Sequence, residues 1–529
     1  MTYSYLFEAK SIQSYIFATN KLKEVIGGSE LIEQLTADNG LLKRILRSLN
    51  LEKDIELSRC GGAAFYAFSE SNDAIEKLAN LWPLVFRQYA PDLDFIHAKA
   101  QGDNAIKAFQ KAHDALMADR NRPKTKLPQA SVFTLRFGRT GEPVTNTIRT
   151  ERIDQVTARK RDFAKSQALA ERVMWDSHQG EWPVNLTPEE GQDGKNFPFS
   201  KDNQLIGLIH ADGNGFGQLL MDLKDKVDRN VIKNDQYIKI FRDVSESIKT
   251  ATEVASANAV SKILFLNMQD GLFPARPIVL GGDDLTMIVR ADLALPFTQA
   301  FLKAFEQESK NQFDQLRKDH PDLNKILPER LTACAGIVYA KSSQPFSALH
   351  DLAEGLCKYT KKIAKKDDNL LTGKQVPSSL SFYRVTSTLL DNFDDVLKRE
   401  LTADTITLSR GCYTLESHKN LPNLTDLLEL QKFLGQSEVS QGALRQITAL
   451  LHQSPDQAQR RYERWKEVMI DRDKKEKKNY WKTFDELRRK LSQPEAEFNV
   501  NQPQAVPFED VLSLSAVGNN LNPEKGTQV

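Results

Sequence analysis

The sequence has few cysteines, no long apolar run and almost no net charge, and each absence excludes a class of protein. Cys60, Cys334, Cys357 and Cys412 are far apart, which argues against a zinc ribbon and a disulfide framework and predicts a reducing cytoplasm. No run approaches the ~20 apolar residues that cross a bilayer, so we expect no membrane association. The N-terminal segment carries an acidic residue early and lacks the apolar stretch of a signal peptide. With a formal net charge of +1, any nucleic-acid surface must be a local patch.

The length and the order of predicted elements indicate several domains. A chain of 529 residues with 40% apolar and 27% charged residues is an ordinary globular protein, too long for one hydrophobic core. Residues 3–137 alternate as roughly βαββαβ, the ferredoxin-like or palm pattern. In this interpretation the segment SVFTLRF (Ser131–Phe137) is the closing strand.

The same order of elements recurs from Asn203 and indicates a duplicated domain. The apolar strand LIGLIHA turns through DGNGFG into a helix, and a second long helix follows from about Gln236 to Val260. We expect strands at KILFLN (Lys262–Asn267) and on both sides of the hairpin IVLGGDDLTMIV (Ile278–Val289). A helix, a strand and a final helix complete the second copy.

Laying the two copies over each other shows which polar residues differ between them. Aligning LFEAKSIQSYIF with LIHADGNGFGQL puts Lys10 at the position of Asp212. Aligning RCGGAAFYAF with VLGGDDLTMI puts alanines at the positions of Asp283 and Asp284. On this alignment all three acidic positions are non-acidic in the first copy, which favours a shared chemical role over three solvated turns.

The three aspartates predict a site for divalent cations. In a palm sheet the strand that ends at Asp212 lies beside the hairpin with Asp283 and Asp284, so three carboxylates would converge. Carboxylates this close repel each other, and Mg²⁺ (or Mn²⁺), which prefers oxygen ligands, removes that cost. Two such ions ~4 Å apart act on both sides of a phosphoryl displacement. We therefore predict Asp212, Asp283 and Asp284 as metal ligands, with the last two also catalytic.

Glycine-rich turns and two lysines predict contacts to a nucleoside triphosphate. Backbone N–H groups at a helix N-terminus bind phosphate, glycine permits a close backbone approach, and lysines at i and i+4 lie on one helix face. The predicted nucleotide-binding residues are Gly213, Asn214, Gly215, Phe216, Gly217, Gly281, Gly282, Lys361 and Lys365.

We expect four parts in the chain. They are a degenerate palm domain at residues 1–140, a basic helical linker at 141–200, an active palm domain at 201–385 and a C-terminal helical domain at 386–529. The fold class is α+β. The last region contains a long charged helix from Asp456 to Leu491, and its last thirty or so residues are rich in Asn, Pro and Gln, which is typical of poor order.

The motif GGDD after an apolar strand, with an upstream DGxxxG turn, resembles the polymerase-cyclase subunit of type III CRISPR effector complexes, which is related to the GGDEF cyclases. The segment from Ser11 to Leu35 resembles that family's first palm, and the segment from Leu331 to Lys365 resembles the end of its second. The resemblance covers roughly residues 4–385. It departs at Asn214, where many members have a second aspartate.

The resemblance implies two packed palm domains, with ATP as substrate and a cyclic oligoadenylate-type messenger as product. Asp283 and Asp284 would hold the metal that activates a 3′-hydroxyl, Asp212 the metal on the triphosphate, and Lys361 and Lys365 the phosphates. Because the chain starts on the first palm and lacks cysteine pairs, we expect neither the family's HD nuclease nor its zinc insertion. Expected partners are guide or target RNA and other effector subunits, or a homo-oligomer if the protein acts alone.

Two other functions stay open. An RNA-binding scaffold is suggested by Arg460–Lys490, where lysines and arginines interleave with Tyr462, Trp465, Tyr480 and Trp481. A packed aromatic face on a solvated amphipathic helix is the favoured interpretation of that segment. A template-dependent polymerase is the third and weakest candidate.

Overall fold

The computed structural model describes most of the chain. It describes residues 1–120, 122, 131–148, 150–175, 179–187, 197–199, 205–228, 236–366, 375–386, 392–436, 439 and 441–518, with the backbone alone at 224–228. Within these ranges, no helix combines the length and the apolar character needed to cross a membrane.

The first 120 residues fold around a four-stranded antiparallel sheet. Its elements are β1 (Thr2–Ala9), α1 (Ile12–Phe17), α2 (Leu22–Thr36), α3 (Leu41–Ser48), β2 (Glu56–Gly61), β3 (Ala64–Ser69), α4 (Asn72–Tyr89), β4 (Phe95–Gly102) and α5 (Ala105–Arg120). The strand order is β2-β3-β1-β4. This is the ferredoxin-like palm arrangement that the sequence pattern predicts.

A short connecting region joins this sheet to the next. It contains the hairpin of β5 (Val144–Ile148) and β6 (Glu151–Asp154), followed by α6 (Gln155–Phe163) and α7 (Ala168–Glu171). Two of its basic residues attach it to the first palm: Arg161 pairs with Glu24 and Glu151, and the Lys160 ammonium, fully buried, donates to the Tyr15 carbonyl. Arg152 and Lys165 are exposed.

The second sheet repeats the topology of the first. Its elements are β7 (Leu205–Gly213), α8 (Phe216–Asp228), α9 (Tyr237–Ala259), β8 (Ala275–Gly281), β9 (Asp284–Arg290), α10 (Ala291–Asp319), β10 (Ala333–Lys341), α11 (Phe346–Lys365) and β11 (Ser379–Arg384). The order β10-β7-β9-β8 is that of β4-β1-β3-β2, extended at the β10 edge by β11 and by β14 (Tyr413–Thr414). The duplication predicted from the sequence is thus visible in the strand order.

The C-terminal region is mainly helical. Its remaining elements are α12 (Phe393–Arg399), β12 (Thr402–Ala403), β13 (Ile406–Thr407), α13 (Leu424–Leu434), α14 (Gln441–Leu451), α15 (Pro455–Glu476), α16 (Tyr480–Leu491), β15 (Gln504–Ala505) and α17 (Phe508–Val517).

The two palm sheets share hydrophobic cores. Successive residues of a strand point to opposite faces of its sheet, and both sheets use this alternation in the same way. Leu6 and Ile209 belong to one core, whereas Phe7 and Leu208 belong to the other. Equivalent positions contribute to opposite cores, since Phe7 and its counterpart Ala211 lie in different ones. Because each core draws residues from both palms, the palms stabilise each other.

The strand registers correct the sequence alignment of the two copies. In the second sheet Ala211 pairs with Leu285, so one residue further along Asp212 lies across from Asp284. In the first sheet Glu8 pairs with Ala64, the residue at the position of Asp284. The counterpart of Asp212 is therefore Glu8, and the alignment with Lys10 is wrong by two residues. One of the three acidic positions keeps a carboxylate in the first copy.

Four predicted elements also differ in the structure. SVFTLRF forms turns with a single bridge from Arg136 to Pro143 instead of a strand. KILFLN continues α9 as a π-helical turn at Val260–Leu264 and a 3₁₀ turn at Phe265–Asn267.

The predicted long charged helix breaks into α15 and α16 at Lys477, whose φ is +52°. The final segment contains the buried helix α17, so poor order is wrong up to residue 518; residues 519–529 lie outside the described ranges.

Candidate active site

Three carboxylates converge at one edge of the second sheet. Asp212 lies near the end of β7, and Asp283 and Asp284 lie at the turn between β8 and β9. One oxygen from each carboxylate lies within 4.8 Å of the other two. The antiparallel pairing of β7 with β9 brings them together, as the sequence analysis predicts.

Glycines shape the backbone around these carboxylates. Gly282 has φ +61° and forms the turn of the hairpin, a conformation that glycine adopts without strain. Gly213 leaves room for a neighbouring acid, since a Cβ there would lie 2.7 Å from Asp283 Oδ2 and 2.8 Å from its Cβ. The Asp283 side chain therefore packs directly against the backbone of β7. Gly281 and Gly217 face open space.

Burial and mutual repulsion shift the acidity of the hairpin carboxyls. Burial and then the Asp212 carboxylate raise the pKa of Asp283 to about 7. The pKa of Asp284 is also raised well above its usual range, first by burial and then by Asp283 and Asp212. Both shifts have the sign expected for like charges that share one site. The arrangement is electrostatically costly unless a cation neutralises it.

Lys361 reaches this site from α11, whereas Lys365 does not. The Lys361 ammonium forms an ion pair with Asp212 Oδ2 and donates a 2.8 Å hydrogen bond to the Gly213 carbonyl. Burial alone would lower the pKa of Lys361, but the Asp212 carboxylate outweighs it and the pKa is raised. Lys365, one turn later, is exposed to solvent. Its contact with a triphosphate stays a prediction.

The turn after Asp212 contains the buried side-chain amide of Asn214 and leads into α8. The Asn214 side chain, 5% exposed, donates to Thr332 Oγ1 at 3.0 Å and to Cys334 Sγ at 3.4 Å. It therefore fastens the turn to β10, away from the carboxylates. Gly215 has φ +86°, and α8 begins at Phe216. The first N–H groups of a helix lack partners within it, and their contact with a phosphate at this turn stays a prediction.

A buried threonine on α9 also contacts the acidic hairpin, and no sequence pattern predicts this contact. Thr252 Oγ1 of α9 lies 2.7 Å from the Gly282 carbonyl oxygen and 3.0 Å from the Ile248 carbonyl oxygen, so its single proton has the shorter bond to Gly282. The two partners, 30 residues apart, share no motif. Thr252 is buried, so the bond is shielded from water.

A cleft of about 1920 Å³ opens between the two palm hairpins. Its lining includes Gly61, Gly62, Gly281, Gly282, Asp283 and Asp284. Ligand pockets commonly measure about 300–1,000 Å³, so the cleft has room for more than one nucleotide.

At the equivalent edge of the first sheet, one carboxylate lies where the second sheet has its acidic cluster. This is Glu8 on β1, and neighbouring side chains compensate its charge. Glu8 accepts a 2.5 Å hydrogen bond from the Tyr66 hydroxyl, and Arg59 lies 3.6 Å from the same carboxylate oxygen. Alanines occupy the positions of Asp283 and Asp284. Within the described part of this sheet, no group of three metal-ligating side chains occurs.

The aromatic residues of the C-terminal helices form a packed core. Tyr462, Trp465 and Trp481 are each less than 10% exposed and contact one another edge to face. They are therefore not available to stack on nucleic-acid bases. The lysines at 474, 475, 477 and 478 are exposed.

The residues present fit a divalent cation. Three carboxylates supply hard oxygen donors of the type that Mg²⁺ and Mn²⁺ prefer, and one oxygen from each lies within 4.8 Å of the others, so the three can share an ion. Because Gly213 lacks a side chain, Asp283 can lie close enough to β7 to share an ion with Asp212. Asp212, Asp283 and Asp284 would hold the metal.

Comparison with known proteins places this site within a described domain. Residues 205–370 match the family model for the second palm domain of Cas10/Cmr2. This range begins at β7 and extends past α11, so it contains all three aspartates and Lys361. No curated protein is significantly similar in sequence to the chain.

Several solved structures are similar in overall shape. The Csm1-Csm4 cassette in complex with pppApA is 12% identical, with a TM-score of 0.49 over 98% of this chain and 69% of that chain. The cassette in complex with cA3 is 12% identical, with a TM-score of 0.48 over 92% and 69%. Csm1 from T. onnurineus is 14% identical, with a TM-score of 0.41 over 98% and 69%.

Proposed function

We propose that the chain is a Cas10-like polymerase-cyclase of the type III CRISPR kind and acts as a metal-dependent nucleotidyltransferase, which the match of residues 205–370 to the second palm domain of Cas10/Cmr2 supports. It would convert ATP to a cyclic oligoadenylate-type second messenger and release pyrophosphate. The observation that carries the proposal is the convergence of Asp212, Asp283 and Asp284 beside a two-palm cleft.

The reaction forms one phosphodiester bond and breaks one phosphoanhydride bond. The 3′-hydroxyl oxygen of one nucleotide attacks the α-phosphorus of another, the bond to the β-phosphate oxygen breaks, and the hydroxyl proton passes to solvent. A bound divalent cation would supply Lewis-acid stabilisation of the oxygens that gain charge. The chain's own groups position the reactants: the α8 N-terminus and Lys361 bind phosphate, and the glycines of the hairpin admit the nucleotide. Lys361 must then exchange its contact with Asp212 for one with phosphate.

The proposal is tested with purified protein, labelled ATP and Mn²⁺. We expect pyrophosphate and a cyclic product that mass spectrometry resolves by ring size. The double variant Asp283→Ala/Asp284→Ala should fold normally and yield no product. Equal product from this variant and the wild type would refute the proposed enzyme.

An RNA-binding scaffold is the second candidate, and the exposed lysines of α15 and the following turn favour it. In that case Lys→Ala changes at positions 474, 475, 477 and 478 would weaken RNA binding and reduce its salt dependence. Guide or target RNA and other effector subunits are the expected partners in either case. A homo-oligomer is expected if the protein acts alone.

A further inference from the structure

The acidic hairpin is held by a buried hydroxyl from outside its own sheet. Thr252 Oγ1 lies 2.7 Å from the Gly282 carbonyl, at the residue whose positive φ forms the turn. This turn presents both hairpin aspartates.

The helix that carries Thr252 is fastened to the first palm. Its next residue, Glu253, pairs with Arg172 at 2.5 Å, and Arg172 pairs at 2.6 Å with Glu33 on α2. The three side chains are each less than 25% exposed, so water screens the pairs only partly. One guanidinium thus joins α9 of the second palm to α2 of the first.

The same face of α2 also contacts β8, the strand that leads into the hairpin. Ser29 Oγ donates to the Ile278 carbonyl. Glu30 pairs with Arg276 at 3.4 Å, and both side chains are 1% exposed. Two adjacent residues of α2 therefore contact β8, while Glu33, one turn later, reaches α9 through Arg172.

We propose that Thr252 is a positioning residue for the acidic hairpin, and that Arg172 fixes it by tying α9 to α2 of the first palm. The first palm, which lacks the acidic cluster, then contributes to the site by setting the position of the other palm's hairpin. The consequence for metal binding rests on the proposed function, whereas the effect on the hairpin itself does not.

The experiment compares matched variants of the full chain. Thr252→Val removes the hydroxyl and keeps the shape, and Thr252→Ser restores the hydroxyl. Thr298→Val is the control, because the buried Thr298 hydroxyl bonds the Ala294 carbonyl of its own helix. Arg172→Gln is matched by Arg242→Gln, which breaks an exposed pair between α9 and Glu56 of the first palm.

Two readouts are taken for each variant. Amide hydrogen exchange is followed by mass spectrometry in peptides covering 278–286, and Mn²⁺ affinity is measured by electron paramagnetic resonance without nucleotide. In Thr252→Val and Arg172→Gln we expect faster hairpin exchange and weaker Mn²⁺ binding, each by about tenfold, the equivalent of one hydrogen bond. Thr252→Ser, Thr298→Val and Arg242→Gln should match the wild type.

The outcomes separate this inference from the proposed function. Hairpin exchange in Thr252→Val equal to that in Thr298→Val overturns the inference, as does a loss in Thr252→Ser as large as in Thr252→Val. Wild-type exchange in Arg172→Gln overturns the link to the first palm. If the wild type binds Mn²⁺ no better than Asp283→Asn/Asp284→Asn, the proposed function fails, and hairpin exchange alone decides the inference.

Discussion

Glu8 occupies in the first palm sheet the register position that Asp212 occupies in the second. The two carboxylates have different surroundings. Asp212 lies beside two further aspartates and a lysine, whereas Glu8 accepts a hydrogen bond from Tyr66 and forms an ion pair with Arg59. The second sheet therefore gathers several carboxyl groups at this edge, whereas the first sheet has one carboxylate and a cation beside it.

This contrast predicts opposite effects for two equivalent substitutions. Asp212→Asn removes a predicted metal ligand, and a loss of about 3 kcal/mol of charge stabilisation would slow product formation about 100-fold. Glu8→Gln should leave the rate within about twofold of the wild type, because its charge is already neutralised within the first sheet. Labelled-ATP turnover measures both. A rate loss in Glu8→Gln matching that in Asp212→Asn would contradict the assignment of the site to the second palm.

Metal binding should be visible as thermal stabilisation. An ion present at 100 times its Kd stabilises the folded protein by about 2.7 kcal/mol, so Mn²⁺ should raise the Tm of the wild type. Asp283→Asn/Asp284→Asn should show no such rise. In EDTA this variant should melt above the wild type by an amount that grows as the pH rises, because burial and the neighbouring carboxylates raise the pKa values of Asp283 and Asp284 and so oppose their ionisation. Differential scanning fluorimetry tests both statements, and equal Mn²⁺ shifts in the two proteins would contradict them.

Because the Asp283 side chain packs against Gly213, adding one methyl group at position 213 should weaken metal binding. Gly213→Ala places a Cβ within 3 Å of the Asp283 side chain, which must then move away from β7. Mn²⁺ affinity should fall about tenfold, or about 1.4 kcal/mol. Gly217→Ala is the control, since its Cβ meets no atom within 4 Å. Titration by electron paramagnetic resonance measures both, and equal affinities would show that Asp283 is not a ligand.

The buried aromatic cluster of the C-terminal helices predicts a stability effect there instead of a loss of base stacking. Trp465→Ala removes a 3%-exposed side chain and should lower the free energy of unfolding by about 3–5 kcal/mol. Lys474→Ala, on the exposed face of α15, should change it by less than about 0.5 kcal/mol. Chemical denaturation measures both. An unchanged free energy of unfolding in Trp465→Ala would contradict this prediction and favour base stacking as the role of that tryptophan.

The core of the site could be predicted from the sequence because its signals are local. An apolar run ending in Asp212 and a glycine-containing turn before Asp284 each define a strand end. The palm order of strands then determines which ends meet. The error at Lys10 has a physical origin: side chains in a strand alternate with period two, so a two-residue shift preserves the pattern of buried and exposed positions.

Other features lay outside what sequence patterns can reveal. The six residues of KILFLN are apolar enough for a strand or a buried helix, and packing after α9 makes them helical. The bond from Thr252 to Gly282 depends on where a helix crosses a hairpin, and no motif or spacing records it. The pairing of Arg172 with two acids on different palms is equally non-local.

The loss of the acidic cluster in the first palm extends to its backbone. Both Gly62 and Ala63 have positive φ, +58° and +57°, whereas in the second hairpin Gly282 alone does. One residue after Glu8, the first sheet has Ala9 where the second has Gly213, so it carries a methyl group at the position where a Cβ in the second sheet would lie 2.7 Å from Asp283 Oδ2. Two aspartates introduced into the first hairpin would therefore meet a different turn conformation and a methyl group on the neighbouring strand. Restoring the acidic cluster in the first palm would require changes on both strands.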